Sequence, residues 1–313
     1  MLEMPNRDIS RPMVDWVIDE LRYKATLHQD IDAVVVYTGH VVKSDTIVPE
    51  SLRLELQTAV AELLENVPDK YKDWHPGSNG KVLDLVHPSL YPLVYGRTRV
   101  LETGKTSLED CIARCGEGQT AQIPSEEQTL GASPPVVYWG PPTNLYGRKF
   151  QWLPCMVDIS GEHSKYGSIS LSCISSLIIF ISRITSYINN LHPVKYKTLY
   201  RLIERVIDAA IPLWNISLGP LEFCDWSNYL RIQYRRSYED LIEQPEPGVF
   251  KPPTEPDPIL DLKEKCVESG GCLQIIVKLA NIHLTPEKPS YEGGTWHVEG
   301  QLASFFFYIL FLE

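Results

Sequence analysis

No basic stripe runs along this chain, and cations are outnumbered. There are 29 Lys and Arg against 40 Asp and Glu, giving a net charge of −11 and a pI near 5.3. That balance argues against the electrostatic footprint of a nucleic-acid or anionic-membrane binder. No apolar run reaches the roughly 20 residues of a membrane-spanning helix. Nothing after Met1 resembles a signal peptide, so the seven cysteines read as reduced thiols of a cytoplasmic or nuclear protein. Cys111-x3-Cys115 is the one close pair, and it lacks the nearby Cys or His pair that a structural zinc site needs.

What is present suffices for a real core: 313 residues, 43% of them hydrophobic, allow one large domain or two ordinary ones. Ser10 as cap, Pro12 in the first turn and Val14, Ile18 and Leu21 on one face predict a helix from about Arg11 to His28. Leu52, Leu56, Val60 and Leu63 predict a second from Pro49 to about Asn66, stopped by Val67-Pro68. The strongest helical pattern is Val194 to Ala210, with Pro212 expected to limit it. Glu102 to Pro135 has little periodicity and reads as a long surface excursion with a short helix at Ser107 to Arg114. Ile232 and Tyr234 suggest a short edge strand. Pro245 to Pro258 is proline-rich enough to be an extended loop.

Between these helices the texture turns to strands and turns. Pro76-Gly77 and Asn79-Gly80 are turn signals placed directly before the apolar run Lys81 to Val86, and His87-Pro88 follows it. Asp84 and His87 offer themselves as metal ligands here, but with no third partner in sight they read as a partly exposed aspartate and a turn histidine. Tyr91, Tyr95, Tyr138, Trp139 and Trp152 make this middle part aromatic, suiting core packing first and a lined pocket second. Leu273 to Leu284 is branched and alternating, and reads as one mostly buried strand.

A Pro- and Gly-rich turn then leads to Thr295-Trp296-His297-Val298-Glu299. In an extended run the period of two puts His297 and Glu299 on the same face, where both can grip one ion. His-x-acid supplies two corners of the two-histidine, one-carboxylate triad of non-haem Fe(II) sites. About one such pair is expected by chance in a chain of this composition. His28-Gln29-Asp30 is a second instance, in a polar patch at a helix end that reads as solvated surface.

The segments WHPGSNGKVLDLVHPSLYPLVYGRTRVL (Trp74 to Leu101), KFQWLPCMVDIS (Lys149 to Ser160), ITSYINNLHPVKYKTLYRLIERVIDAAIPLWN (Ile184 to Asn215) and GGTWHVEGQL resemble the fungal domain-of-unknown-function family DUF4246. The family is in turn similar to iron and 2-oxoglutarate oxygenases. The resemblance implies His297 and Glu299 as the first two iron ligands, with Fe(II) and 2-oxoglutarate as cofactors and a further histidine and arginine downstream. Neither of those two is visible in the 14 residues after Glu299, so the chain reads as truncated and inactive as an oxygenase.

Two stretches depart from the resemblance. Glu162 to Ser182, with its Ser/Ile-rich run, sits where the family has a much shorter connection and reads as inserted sequence. Residues 303–313, with Phe305 to Leu312 continuously apolar, read as a tail not native to the fold. The expected architecture is α+β: a helical N-terminal region (1–70), then a family-like domain (71–302) carrying the opening strands of an incomplete jelly-roll-like double-stranded β-helix. The alternative function is a non-catalytic module whose aromatic middle part and proline-rich loop bind another chain.

Overall fold

A computed structural model describes residues 9–37, 41–129, 147–161, 182–222, 247–255 and 257–294. In chain order its elements are α1 (Arg11–Leu27), β1 (Ala33–Tyr37), β2 (Val41–Ser44), α2 (Glu50–Glu65), β3 (Asp73–Trp74), β4 (Val82–Val86), β5 (Leu93–Val94), β6 (Arg99–Val100), β7 (Gln119–Thr120), α3 (Glu126–Thr129), β8 (Phe150–Gln151), β9 (Cys155–Asp158), β10 (Arg183–Ile184), α4 (Lys197–Glu222), α5 (Leu262–Glu268), β11 (Leu273–Ile275) and β12 (Leu279–Ile282). Helices and antiparallel strands are mixed along the chain. The strands form sheets of two or three members, and none closes into a barrel among the described residues. The expected insertion at 162–182, apart from Ser182, lies outside the described residues. So do the tail at 303–313 and the strand around Ile232 and Tyr234.

Two compact units divide the chain. The first draws its described residues from 1–50 and 207–265. Its α1 is capped by Ser10, whose Oγ accepts from Met13 N, as the sequence predicts. The face that α1 buries is rotated from the expected one. Met13 and Lys24 are buried, Trp16 and Tyr23 pack on Phe250 of the proline-rich loop, and Val14, Ile18 and Leu21 stay exposed. The aromatic payload of Trp16 and Tyr23 outweighs that of three aliphatic side chains in choosing the face. Lys24 tolerates burial because Glu20, one turn earlier, pairs with it at 2.5 Å. A separate cluster forms where Ala33, Leu213 and Ile216 pack with Ile31, Val35, Val42 and Ile47 of the β1–β2 hairpin region.

The α4 helix does not stop at Pro212 but runs through it and through Pro220 to Glu222. Proline inside a helix removes one backbone bond and crowds the preceding turn. Here Leu213, Ile216 and Leu218 continue the buried stripe beyond it, and their burial offsets the local cost.

The second unit draws its described residues from 51–161, 182–206 and 266–294. Leu52, Ala59 and Leu63 of α2 are buried with Leu56 and Val60 half-buried, the stripe expected from sequence. Leu273 to Leu284 is not one strand but two. β11 pairs with β9, β12 pairs with β4, and the chain changes sheet between Ile275 and Leu279. Alternation cannot reveal that transfer, since each half alternates correctly. Ser107 to Arg114 makes two helix-like bonds, Cys111 N to Ser107 O and Arg114 N to Asp110 O, without forming a helix. Asp110 Oδ1 takes up the Ser107 N–H and so favours isolated turns.

Candidate metal centre

The centre grows from two tight turns. Ser78 N donates to His75 O and Lys81 N donates to Ser78 O, closing one turn over Pro76-Gly77 and the next over Asn79-Gly80. Gly77 (φ +79°), Asn79 (φ +53°) and Gly80 (φ +67°) occupy left-handed backbone, which glycine takes freely and asparagine tolerates. The chain is thereby reversed and β3 pairs antiparallel with β4, Asp73 opposite Asp84 and Trp74 opposite Leu83. His75 N donates to Val82 O and continues the ladder by one residue. Opposed residues share a face, so His75 and Asp84 share one and Trp74 and Leu83 the other.

On the far side β12 holds β4 in a three-stranded sheet. Leu279 faces Val86 and the next residue, Ala280, faces Asp84, leaving Leu85 as an extra residue on β4. Such a bulge bends the strand and re-aims the side chains beyond it. His87 stands just past that bend. Its Nδ1 accepts from Ser89 N at 3.2 Å, since Pro88 has no N–H to offer. The same arrangement recurs at His192-Pro193, where Nδ1 accepts from Val194 N and Lys195 N.

These constraints bring three donors together. His75 Nδ1 donates to Asp84 Oδ2 at 2.7 Å, and His87 Nε2 lies 4.0 Å from the same oxygen. The two rings are 5.7 Å apart. One nitrogen of each histidine and one carboxylate oxygen all fall within 4.8 Å of one another, the one such group among the described residues. Asp84 is buried rather than partly exposed, with a side chain 3% accessible, and its Oδ1 has no hydrogen-bond partner. A buried carboxylate oxygen ordinarily has a partner, and Oδ1 lacks one. His75 is 40% exposed and opens one side to solvent.

Burial, the largest influence, lowers the His87 pKa; Lys278 and His75 push the same way, and Asp84 and Asp73 oppose them. The ring is therefore a neutral imidazole at physiological pH, the form that ligates metals. A cation among the three donors would replace the proton between His75 and Asp84. Ligation through His87 Nε2 would also move that ring's proton to Nδ1 and sacrifice the Ser89 contact, a cost of about 1 kcal/mol. His283, a third histidine on this sheet, packs edge-on against Trp74 and so belongs to the opposite face. Its N donates to Lys81 O, which fixes that parity.

Among the described residues, the others singled out from sequence do not assemble a site. His28 ends α1 beside Asp30, with its pKa lowered mainly by burial, and no third donor joins them among the described residues. Cys111 donates its thiol to Leu108 O, and Cys115 is exposed. Trp152 Nε1 donates to Ser89 Oγ and so braces the His87 turn, while Tyr91 is exposed. Tyr138, Trp139, His297 and Glu299 lie outside the described residues. His75 is the donor that sequence reasoning missed. The signal was present, because a hairpin folded about the two turns sets residue 75 diagonally across from Asp84.

No curated protein and no solved structure matches this chain. The family model described as "Protein of unknown function (DUF4246)" matches residues 11–304, nearly the whole length, and spans both turns, all three donors and the His297-Val298-Glu299 segment. The chain belongs to the DUF4246 family.

Proposed function

We propose that this chain is a metal-binding protein that holds a divalent first-row transition ion among His75, Asp84 and His87. The observation carrying this reading is the convergence of two imidazoles on a buried carboxylate whose second oxygen lacks a partner. Two histidines and one carboxylate suit Fe(II) and Zn(II) alike, and leave positions open for water or a substrate. Equilibrium dialysis against Zn(II) or Co(II) tests it. One ion per chain is expected, with Asp84→Asn and His87→Ala each weakening binding about 100-fold or more, since loss of even an outer-shell partner costs 10–100-fold. Undiminished binding by the His75→Ala, His87→Ala double variant would place the ion elsewhere and end this reading.

A second reading, an Fe(II) and 2-oxoglutarate oxygenase of jelly-roll architecture with His297 and Glu299 as ligands, rests on the resemblance of GGTWHVEGQL alone. Succinate release from chain supplied with Fe(II), ascorbate and 2-oxoglutarate measures it. Release that His297→Ala abolishes and His75→Ala spares would favour this reading. A third, non-catalytic binding of another chain through the aromatic middle part and the proline-rich loop, has no observation in its favour among the described residues.

A further inference from the structure

The three donors are not equally secured. Asp84 is paired on both sides within its sheet, and His75 extends the β3–β4 ladder. His87 lies beyond the end of β4, and its own hold on Ser89 is a single 3.2 Å bond. Leu90 N closes the turn on His87 O and Trp152 holds Ser89, but the stretch from Leu85 to Tyr91 needs anchoring on both sides of the ring.

That support comes from a turn about 100 residues away in sequence. Asn189 is buried, and its Nδ2 donates both protons, one to Pro88 O at 3.1 Å and one to Tyr91 O at 2.9 Å. Asn190 Nδ2 donates to Leu85 O at 3.2 Å. The carbonyls taken belong to residues two before, one after and four after His87, so the two amides clamp the loop on both sides of the ring. The clamp is itself rigid. Leu191 N donates to Ile188 O, Asn190 has φ +64°, and the buried Tyr200 hydroxyl accepts from Ile188 N and donates to Leu191 O.

We infer that Asn189 is a positioning residue for His87, acting on the metal centre through the Pro88 and Tyr91 carbonyls without touching an ion. This rests on the metal-binding reading of His75, Asp84 and His87. A carboxamide is needed because one nitrogen must supply two donors to two acceptors, which no hydroxyl can do. Freed of both bonds, the loop keeps its turn but loses the fixed distance from His87 Nε2 to Asp84.

Two measurements on the full chain test it, one independent of any metal. Hydrogen exchange reads the Ser89 amide, which is bound to His87 Nδ1, and dialysis reads the Zn(II) dissociation constant. Ile203→Val, a change at a buried α4 residue, serves as the control for general destabilisation. Asn189→Ala is expected to speed Ser89 exchange and to raise the dissociation constant, each about tenfold, while Ile203→Val changes neither beyond its effect on global stability. Should Asn189→Ala not fold, Asn189→Ser, which retains one donor, carries the same expectation at smaller amplitude. Unchanged Ser89 exchange, or faster exchange with an unchanged dissociation constant, overturns the inference. If wild-type chain binds no Zn(II) but Asn189→Ala still frees Ser89, the clamp on His87 stands and the metal-binding reading falls.

Discussion

Gly219→Ala is expected to destabilise the protein by about 3 kcal/mol, the upper end for an overpacked site. A Cβ at this position would sit 1.8 Å from Pro258 O and 2.6 Å from its carbonyl carbon, so backbone and not a pliable side chain must give way. The contact matters because Leu260 N donates to Asn215 O and Leu262 N to Asn215 Oδ1, binding the same segment to the last turns of α4. Moving Pro258 away strains both bonds. Urea unfolding checks the value, with Gly248→Ala as control, since a Cβ there meets nothing within 4 Å. A Gly219→Ala midpoint equal to that of Gly248→Ala would show that the close approach is relieved at no cost.

Tyr200→Phe carries an expectation of similar size for a different reason. The phenol removed joins Ile188 N to Leu191 O in a buried setting, so one donor and one acceptor lose their partner together. Each costs about 1–3 kcal/mol when left unsatisfied, for a total near 3 kcal/mol. The variant also has a signature in pH. Burial, the dominant cause, raises the Tyr200 pKa above its ordinary value of 10. A group that holds its proton more tightly when folded contributes stability that is complete below the unfolded pKa and is lost as pH rises past it. Wild-type stability should therefore decline above about pH 10 as the unfolded tyrosine ionises. Tyr200→Phe should decline less steeply there, although Cys155, pushed up to about 12 by burial, and Tyr187 keep part of the slope. Parallel alkaline limbs for the two proteins would refute the assignment.

Legibility in the sequence followed range. The turns at Pro76-Gly77 and Asn79-Gly80, strand β4 and the placement of His87 beside Pro88 are all readable between residues 76 and 88, because turn chemistry is local. His75 needs one further step, the pairing of the hairpin. Without it Asp84 and His87 look like an incomplete pair. The burial of Asp84 is not readable at all, for it depends on tertiary packing around a central strand whose second neighbour, β12, comes far along the chain. The Asn189 clamp is likewise invisible, since its partners are 98 and 101 residues away. Proline misleads at Pro212 because a local rule yields to tertiary packing of Leu213, Ile216 and Leu218. The exposed face of α1 misleads in the opposite direction, since Val14, Ile18 and Leu21 have ideal spacing and yet the aromatic pair with Phe250 decides the orientation.

The pairing of β4 with β12 also sets a schedule for synthesis. Val86 and Leu279 are neighbours in the sheet but about 200 residues apart in the chain. At 5–20 residues per second a ribosome needs roughly 10–40 s to deliver β12 after β4 has emerged. The β3–β4 hairpin, with His75 and Asp84 on it, can form early from one local segment, whereas the clamp on His87 waits for Asn189. For that interval, however, β4 presents an unpaired edge carrying Leu83, Leu85 and Val86, the kind of surface that recruits other nascent strands. Soluble yield should therefore respond to elongation rate and to chaperones that shield extended apolar segments, and slower translation prolongs the exposure instead of relieving it.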